Sequence, residues 1–151
     1  MLAEFVSRGL LTLAICAAGL SIYWLINRLI LDRAGRQRRG LENLHPGIPA
    51  ILYFTTPNCA PCRTRQRPAL QELQARLGNE GLQVIEVDAA AQPALADYWG
   101  VLSVPTTFII DTFGRPRRVN HGVQGTLALL KQIQEVELNR TLIFSELNED
   151  I

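Results

Sequence analysis

Residues 48–65 read IPAILYFTTPNCAPCRTR: a run of apolar and aromatic residues, a polar break, then two cysteines held apart by Ala60 and Pro61 with arginines behind them. The run Ile48–Thr55 has the length and composition of a buried central strand. After it, Asn58 is a candidate helix cap and Pro61 suits a first helical turn, where a missing N–H costs little. Leu70, Leu73 and Leu77 then recur at helical spacing up to the stop signal Gly78-Asn79. A strand therefore delivers the cysteine pair to the start of a helix.

The same alternation continues along the chain. Leu82–Asp88 reads as a strand, Pro93–Trp99 as a helix ended by Gly100, and Val104–Asp111 as a third strand. Phe113-Gly114-Arg115 reads as a turn into an antiparallel strand over Pro116–Asn120, and Thr126–Glu137 as a helix with Leu129, Ile133 and Val136 on its apolar stripe. The order β-α-β-α-β-β-α predicts an α/β fold with a mixed central sheet and helices on both faces.

Upstream, Gly9–Ile26 is uncharged, and Leu29–Leu31 extend the apolar stretch past Arg28. A helix over residues 9–31 is long enough for a bilayer core of about 30 Å, with Tyr23 and Trp24 near one interface. No small-x-small cleavage site follows, which favours a retained single-pass anchor over a signal peptide. The expected organisation is a tail and anchor over 1–31, a basic linker over 32–44, a domain over 45–138 and an extension over 139–151. The extension carries Leu142, Ile143, Phe144 and Leu147, which are free to pack on the domain, bind a partner or fray.

Of 151 residues, the first 39 hold six arginines against Glu4 and Asp32, a net +4, while the remainder nets −3. With the positive charge confined to the anchor and its flank, the domain offers no broad basic face, so nucleic acid is not an expected partner. Arg28, Arg33, Arg36, Arg38 and Arg39 follow the apolar stretch and only Arg8 precedes it; the positive-inside rule therefore puts the domain in the cytoplasm, with the extracytoplasmic side as the alternative.

A cysteine pair at this spacing admits three readings. At a helix N-terminus the backbone N–H groups and the helix dipole favour a thiolate on Cys59, with Cys62 one turn on as the resolving thiol; Arg63 and Arg67 add positive charge. Half of a zinc site is the second, but the histidines, His45 and His121, lie in no zinc-like spacing, and no metal is expected. Two inert buried cysteines are the third. Cys16, in the apolar stretch, reads as a membrane-buried small residue.

The strand ILYF, the C-A-P-C helix start and the segment WGVLSVPTTFIIDTFGRP together resemble the thioredoxin family over roughly residues 45–137. The resemblance implies a thioredoxin-like fold and a membrane-tethered thiol:disulfide oxidoreductase whose only redox group is the Cys59–Cys62 disulfide, with no other cofactor. It also implies protein disulfide or dithiol substrates and an upstream electron donor. Asn58, Ala60 and Pro61 would frame the pair, and Val104, a cis Pro105 and Thr106 would face it so that an extended substrate segment can lie alongside.

The separation between the two signatures leaves no room for the hairpin inserted in the cytochrome-maturation branch of the superfamily. Two departures stand out. Asn58 replaces the family tryptophan, and Tyr53 replaces the buried acid held to help deprotonate the second cysteine, with Val84 expected at the partner lysine position. Activation of Cys62 by water or Glu86, or slow turnover, is the expected consequence. His121 is a further candidate modulator, as a titrating group or a solvated loop residue. A weakly redox-active binding or assembly module and an extracytoplasmic reductase for cytochrome or membrane-protein maturation are the alternatives.

Overall fold

The computed structural model describes residues 2–37 and 39–149, with side chains over 8–32 and 39–138. Arg38, counted in the charge asymmetry, and Asp150 and Ile151 of the extension lie outside the described residues. The chain divides into two units, residues 1–30 and 31–151.

The described residues of the first unit, 2–30, lie within helix α1, Leu2–Gln37. The segment Arg8–Asp32 is long and apolar enough to cross a membrane. The helix continues past Leu31 because residues 32–37 contain no proline and Gly35 is their one poor helix former.

The second unit is a four-stranded sheet in the order β2-β1-β3-β4, formed by β1 (Ala50–Thr55), β2 (Gln83–Asp88), β3 (Thr106–Ile110) and β4 (Pro116–His121). β1 pairs parallel with β2 and antiparallel with β3, and β3 pairs antiparallel with β4. Both neighbours of β1 bury it completely, which is why its sequence is a continuous apolar run. The strand starts later than Ile48, but the Pro49 carbonyl still accepts the Gln83 N–H at 3.0 Å. Val104 and Pro105 stand ahead of β3 because proline has no ladder N–H to give.

Alternation along β1 divides the core into two halves. Ile51 and Tyr53 face one side, where they cluster with Leu70 and Leu73 of α2 (Arg67–Leu77) and with Leu129 and Ile133 of α4 (Thr126–Glu149). Leu52 and Phe54 face the other. There the ring of Phe54 lies 5.9 Å from Phe108 and 6.4 Å from Trp99, which follows α3 (Pro93–Tyr98), and Trp99 and Phe108 are 4.8 Å apart. Trp99 is fully buried, and its indole N–H finds the Arg39 carbonyl at 2.8 Å.

The β3–β4 turn is organised by Asp111, buried at 2% exposure. Its carboxylate accepts the N–H groups of Phe113 and Arg115 at 2.9 and 2.8 Å and pairs with Arg117 at 2.6 Å. Gly114, at φ 75°, supplies the left-handed residue. α4 runs on to Glu149 because no Gly or Pro follows Gly125 to stop it. The side chains of Leu142, Ile143, Phe144 and Leu147 are outside the described set.

Phe108→Ala removes a ring that takes part in two of the three contacts among Phe54, Trp99 and Phe108, and a loss of about 3–5 kcal/mol is expected. A urea melt of the full-length chain in detergent, followed by near-ultraviolet circular dichroism, measures it; a loss below about 1 kcal/mol shows that the α3 face is not packed as described.

Candidate active site

β1 ends at Thr55, and the chain turns through Thr56–Asn58 with the Cys59 N–H on the Thr56 carbonyl at 3.2 Å. Helical structure begins at Ala60, and Pro61 sits at φ −64°, ψ −27° in the first turn. Asn58, the expected cap, is exposed. Three residues beyond it is Pro61, which has no N–H to donate, whereas three beyond Cys59 is the Cys62 amide, which donates to Cys59 Sγ at 3.2 Å. The sulfur itself occupies the capping position.

Cys59 and Cys62 form a disulfide with their Cα atoms 5.3 Å apart. Cys59 keeps 8% of its surface exposed and Cys62 only 1%, so the first cysteine is the one that an incoming group can reach. Ala60, Pro61 and Arg63 are exposed around it. The Arg63 amide bonds the Cys59 carbonyl at 3.3 Å.

Beyond Cys62 the helix widens. Residues Cys62–Gln66 form a π-turn, closed by the Arg67 N–H on the Cys62 carbonyl, before α2 continues with Pro68 in its first turn. The Tyr53 hydroxyl donates to that carbonyl as well, at 3.4 Å, so two donors converge on it. Tyr53 is fully buried. Its removal from water pushes the phenol above its ordinary pKa, and the Glu86 carboxylate pushes the same way against the opposing Thr55 hydroxyl and Arg67 charge. The group opposite Cys62 at neutral pH is a neutral hydroxyl.

Opposite Tyr53 on β2 stands Glu86, while Val84, two residues earlier, packs against the apolar cluster. Glu86 is exposed on the edge strand, and its carboxylate is paired with Arg67. That pair has two consequences for the sequence reading. The Arg67 guanidinium is committed to Glu86 rather than left to support a thiolate at Cys59, and Glu86 is held in an ion pair rather than presented as a free base.

The Val104–Pro105 peptide is cis, and Val104 packs against the cluster that holds Cys59 and Cys62. Thr106 is fully buried and donates its hydroxyl to the Ser103 carbonyl at 2.7 Å. His121, exposed at the end of β4, stands opposite Thr106, and the next amide, Gly122 N–H, holds the Pro105 carbonyl at 2.8 Å. An open groove of about 320 Å³ runs past Val104 between Thr56, Ala89, Pro93, Ala96 and Leu102, the last 92% exposed. Among the described residues, no three His, Cys, Asp or Glu side chains come together as metal ligands.

The sequence reading missed Gln66 and Gln124. Gln66 is fully buried on the same helical stripe as Cys62, Leu70 and Leu73, and that spacing was the available signal.

A strand-delivered cysteine pair at a helix start, with Val104 of a cis-proline peptide packed on the same cluster, defines a thioredoxin-like redox fold. The sequence matches the Thioredoxin family over residues 42–135, more than half of the chain, and the chain belongs to that family. It is 32% identical to a thioredoxin of Mycolicibacterium smegmatis, covering 58% of this chain and 77% of that protein. It is also 32% identical to a thiol:disulfide interchange protein DsbE homolog of Paracoccus denitrificans, covering 46% of this chain and 48% of that one. The structure of chloroplastic thioredoxin z superposes with a TM-score of 0.56 at 19% identity, covering 61% of this chain and 80% of that chain, a likeness of fold. Family and cysteine pair together support a thiol:disulfide redox function.

The raised pKa of Tyr53 has a signed consequence for stability. An unfolded tyrosine ionises near pH 10 while the buried one stays neutral, so its stabilising contribution is complete below that pH and is lost as pH rises toward the higher folded value. Between about pH 9 and 11 the wild-type urea midpoint is expected to fall more steeply than that of Tyr53→Phe. Parallel curves show that Tyr53 titrates alike in both states.

Proposed function

We propose that this chain is a membrane-tethered oxidoreductase that reduces disulfide bonds in proteins, using the Cys59–Cys62 dithiol as its only redox group. The observation that carries the reading is the difference between the two sulfurs: Cys59, 8% exposed and receiving a helix N-terminal amide, and Cys62, 1% exposed behind it. That N–H and the helix dipole stabilise negative charge on Cys59 once the pair is reduced.

The Cys59 thiolate attacks one sulfur of the substrate disulfide, forming a mixed disulfide and releasing the other substrate sulfur as a thiolate, which takes up a proton. Cys62 then loses its proton to water and attacks Cys59 Sγ. The Cys59–Cys62 bond forms, the mixed disulfide breaks, and the second substrate sulfur leaves as a thiolate. Two electrons have passed from the dithiol to the substrate, and an upstream dithiol donor restores the pair. An extended substrate strand lies along Val104 beside the cis-proline, with Asn58, Ala60, Pro61 and Thr106 framing it. Tyr53 holds the Cys62 backbone, while Arg63 and His121 border the site and tune its charge. Lacking a buried carboxylate beside Cys62, the enzyme turns over slowly in its second step.

Residues 9–31 anchor the protein in the membrane. The arginine asymmetry favours a cytoplasmic domain. A second reading is an extracytoplasmic reductase in cytochrome or membrane-protein maturation, which the likeness to the Paracoccus thiol:disulfide interchange protein DsbE homolog fits loosely.

Full-length protein in detergent is expected to reduce insulin with dithiothreitol as donor. Cys59→Ser should lower the rate by at least about a thousandfold, and Cys62→Ser should accumulate a mixed disulfide with substrate. Wild-type protein that captures partners but never turns over supports a binding module instead. Sidedness is read from Gln134→Cys in a chain whose other cysteines are serine: protection from an impermeant maleimide in intact cells is expected for a cytoplasmic domain, and labelling assigns the domain to the outside.

A further inference from the structure

Gln66 is the polar side chain that the sequence pattern leaves without a reason. It lies in the π-turn of the redox helix, is fully buried, and has on its stripe only Cys62 and leucines. Its amide is nevertheless satisfied at both ends by the backbone of one residue: the Gln124 N–H donates to Gln66 Oε1 at 2.7 Å, and Gln66 Nε2 donates to the Gln124 carbonyl at 3.3 Å. This is the two-way exchange of a β-ladder pair made by a side chain. The segment it holds, residues 122–125, is tied at its other end to the site, because the Gly122 N–H bonds the Pro105 carbonyl at 2.8 Å. Just beyond, the Thr126 hydroxyl donates to Glu72 of α2 at 2.6 Å. Gly122 sits at φ 86° and Gly125 has open space where a side chain would be, so the segment has little intrinsic stiffness of its own.

We infer that Gln66 is a positioning residue for substrate. From the redox helix it fixes the 122–125 loop, and through Gly122 it fixes the cis-proline edge along which an extended protein substrate pairs. The π-turn is what aims it there. In a regular helix the first amide after the turn would reach back four residues, to Arg63; here it reaches back five, to the Cys62 carbonyl, and Gln66 is carried inward toward the loop. This inference rests on the reductase reading, and it separates two classes of disulfide. A protein substrate needs both the Cys59 sulfur and the Val104–Pro105 edge, whereas a small disulfide such as 2-hydroxyethyl disulfide needs the sulfur alone.

The test is Gln66→Met in the full-length chain in detergent, which keeps side-chain length and helix preference but removes both bonding groups. Hydrogen exchange at the Gly122 and Gln124 amides is expected to speed up, and KM for insulin to rise roughly tenfold, with the rate on 2-hydroxyethyl disulfide held within about twofold. Gln66→Leu serves as the second variant if the methionine chain melts early. Equal losses on both substrates overturn the inference by making Gln66 a support of the redox helix itself. An unchanged insulin KM overturns it too, leaving the reductase reading intact. A wild-type chain that reduces neither substrate overturns both.

Discussion

One hydrogen bond, from the Cys62 amide to Cys59 Sγ, sets the character of the site. A helix begins with N–H groups that have no partner inside it, and an oxygen-bearing side chain usually supplies one. Here a sulfur does so. In the disulfide it is a weak acceptor. When the pair opens, the same atom already faces a donor at the positive end of the helix dipole, an arrangement that favours its anion. The cap is therefore worth more to the reduced protein than to the oxidised one, and the helix start and the thiolate stabilise each other. Pro61 contributes by fixing the first turn and by removing the amide that would otherwise compete three residues beyond Asn58.

That arrangement depends on the sheet behind it. β1 is the strand from which the redox turn departs, and its alternation gives Tyr53 and Thr55 to the redox side and Phe54 to the aromatic side. Directly beneath the pair the register aligns Glu86, Tyr53, Thr107 and Asn120 across all four strands. This polar row would be costly in an apolar core if any member lacked a partner. Each has one: Glu86 pairs with Arg67, Tyr53 bonds the Cys62 carbonyl, and Asn120 donates to both Thr107 and Gln132 at 3.2 and 2.8 Å. Gln132 returns a bond to Asn120 at 3.0 Å, which ties α4 to β4 at the same level.

The strands and the redox helix start were legible in the sequence because each follows from local chemistry: an apolar run for a doubly flanked strand, Gly and Pro as punctuation, and a C-x-x-C after a strand; the cis-proline came instead from the resemblance to the thioredoxin family, since composition alone favours a trans bond. The Asn58 cap failed because the cysteine that follows it is the better-placed acceptor. That Glu86 stands beside Tyr53 was not legible, because pairing register is a tertiary property that only the parallel ladder shows. The π-turn was hidden for another reason. One residue more or fewer between Cys62 and Pro68 leaves the apolar periodicity of Leu70 and Leu73 looking the same, while the backbone must accommodate the difference by widening a turn.

The Cys62 carbonyl shows what the widened turn achieves. A helical carbonyl near an N-terminus ordinarily receives the amide four residues on; this one receives Arg67, five residues on, and the Tyr53 hydroxyl from the strand below. Two donors on one acceptor restrain the backbone of the buried cysteine from the helix side and the sheet side together. Cys59, by contrast, is held through its own sulfur and its amide on the Thr56 carbonyl, at the edge of an exposed turn. The pair is thus asymmetric in restraint as well as in exposure. When the disulfide opens, the outer sulfur has room to meet a substrate and the inner one does not move far. Resolution of a mixed disulfide then needs the captured sulfur to remain within reach of Cys62, which the restraint on the inner cysteine favours.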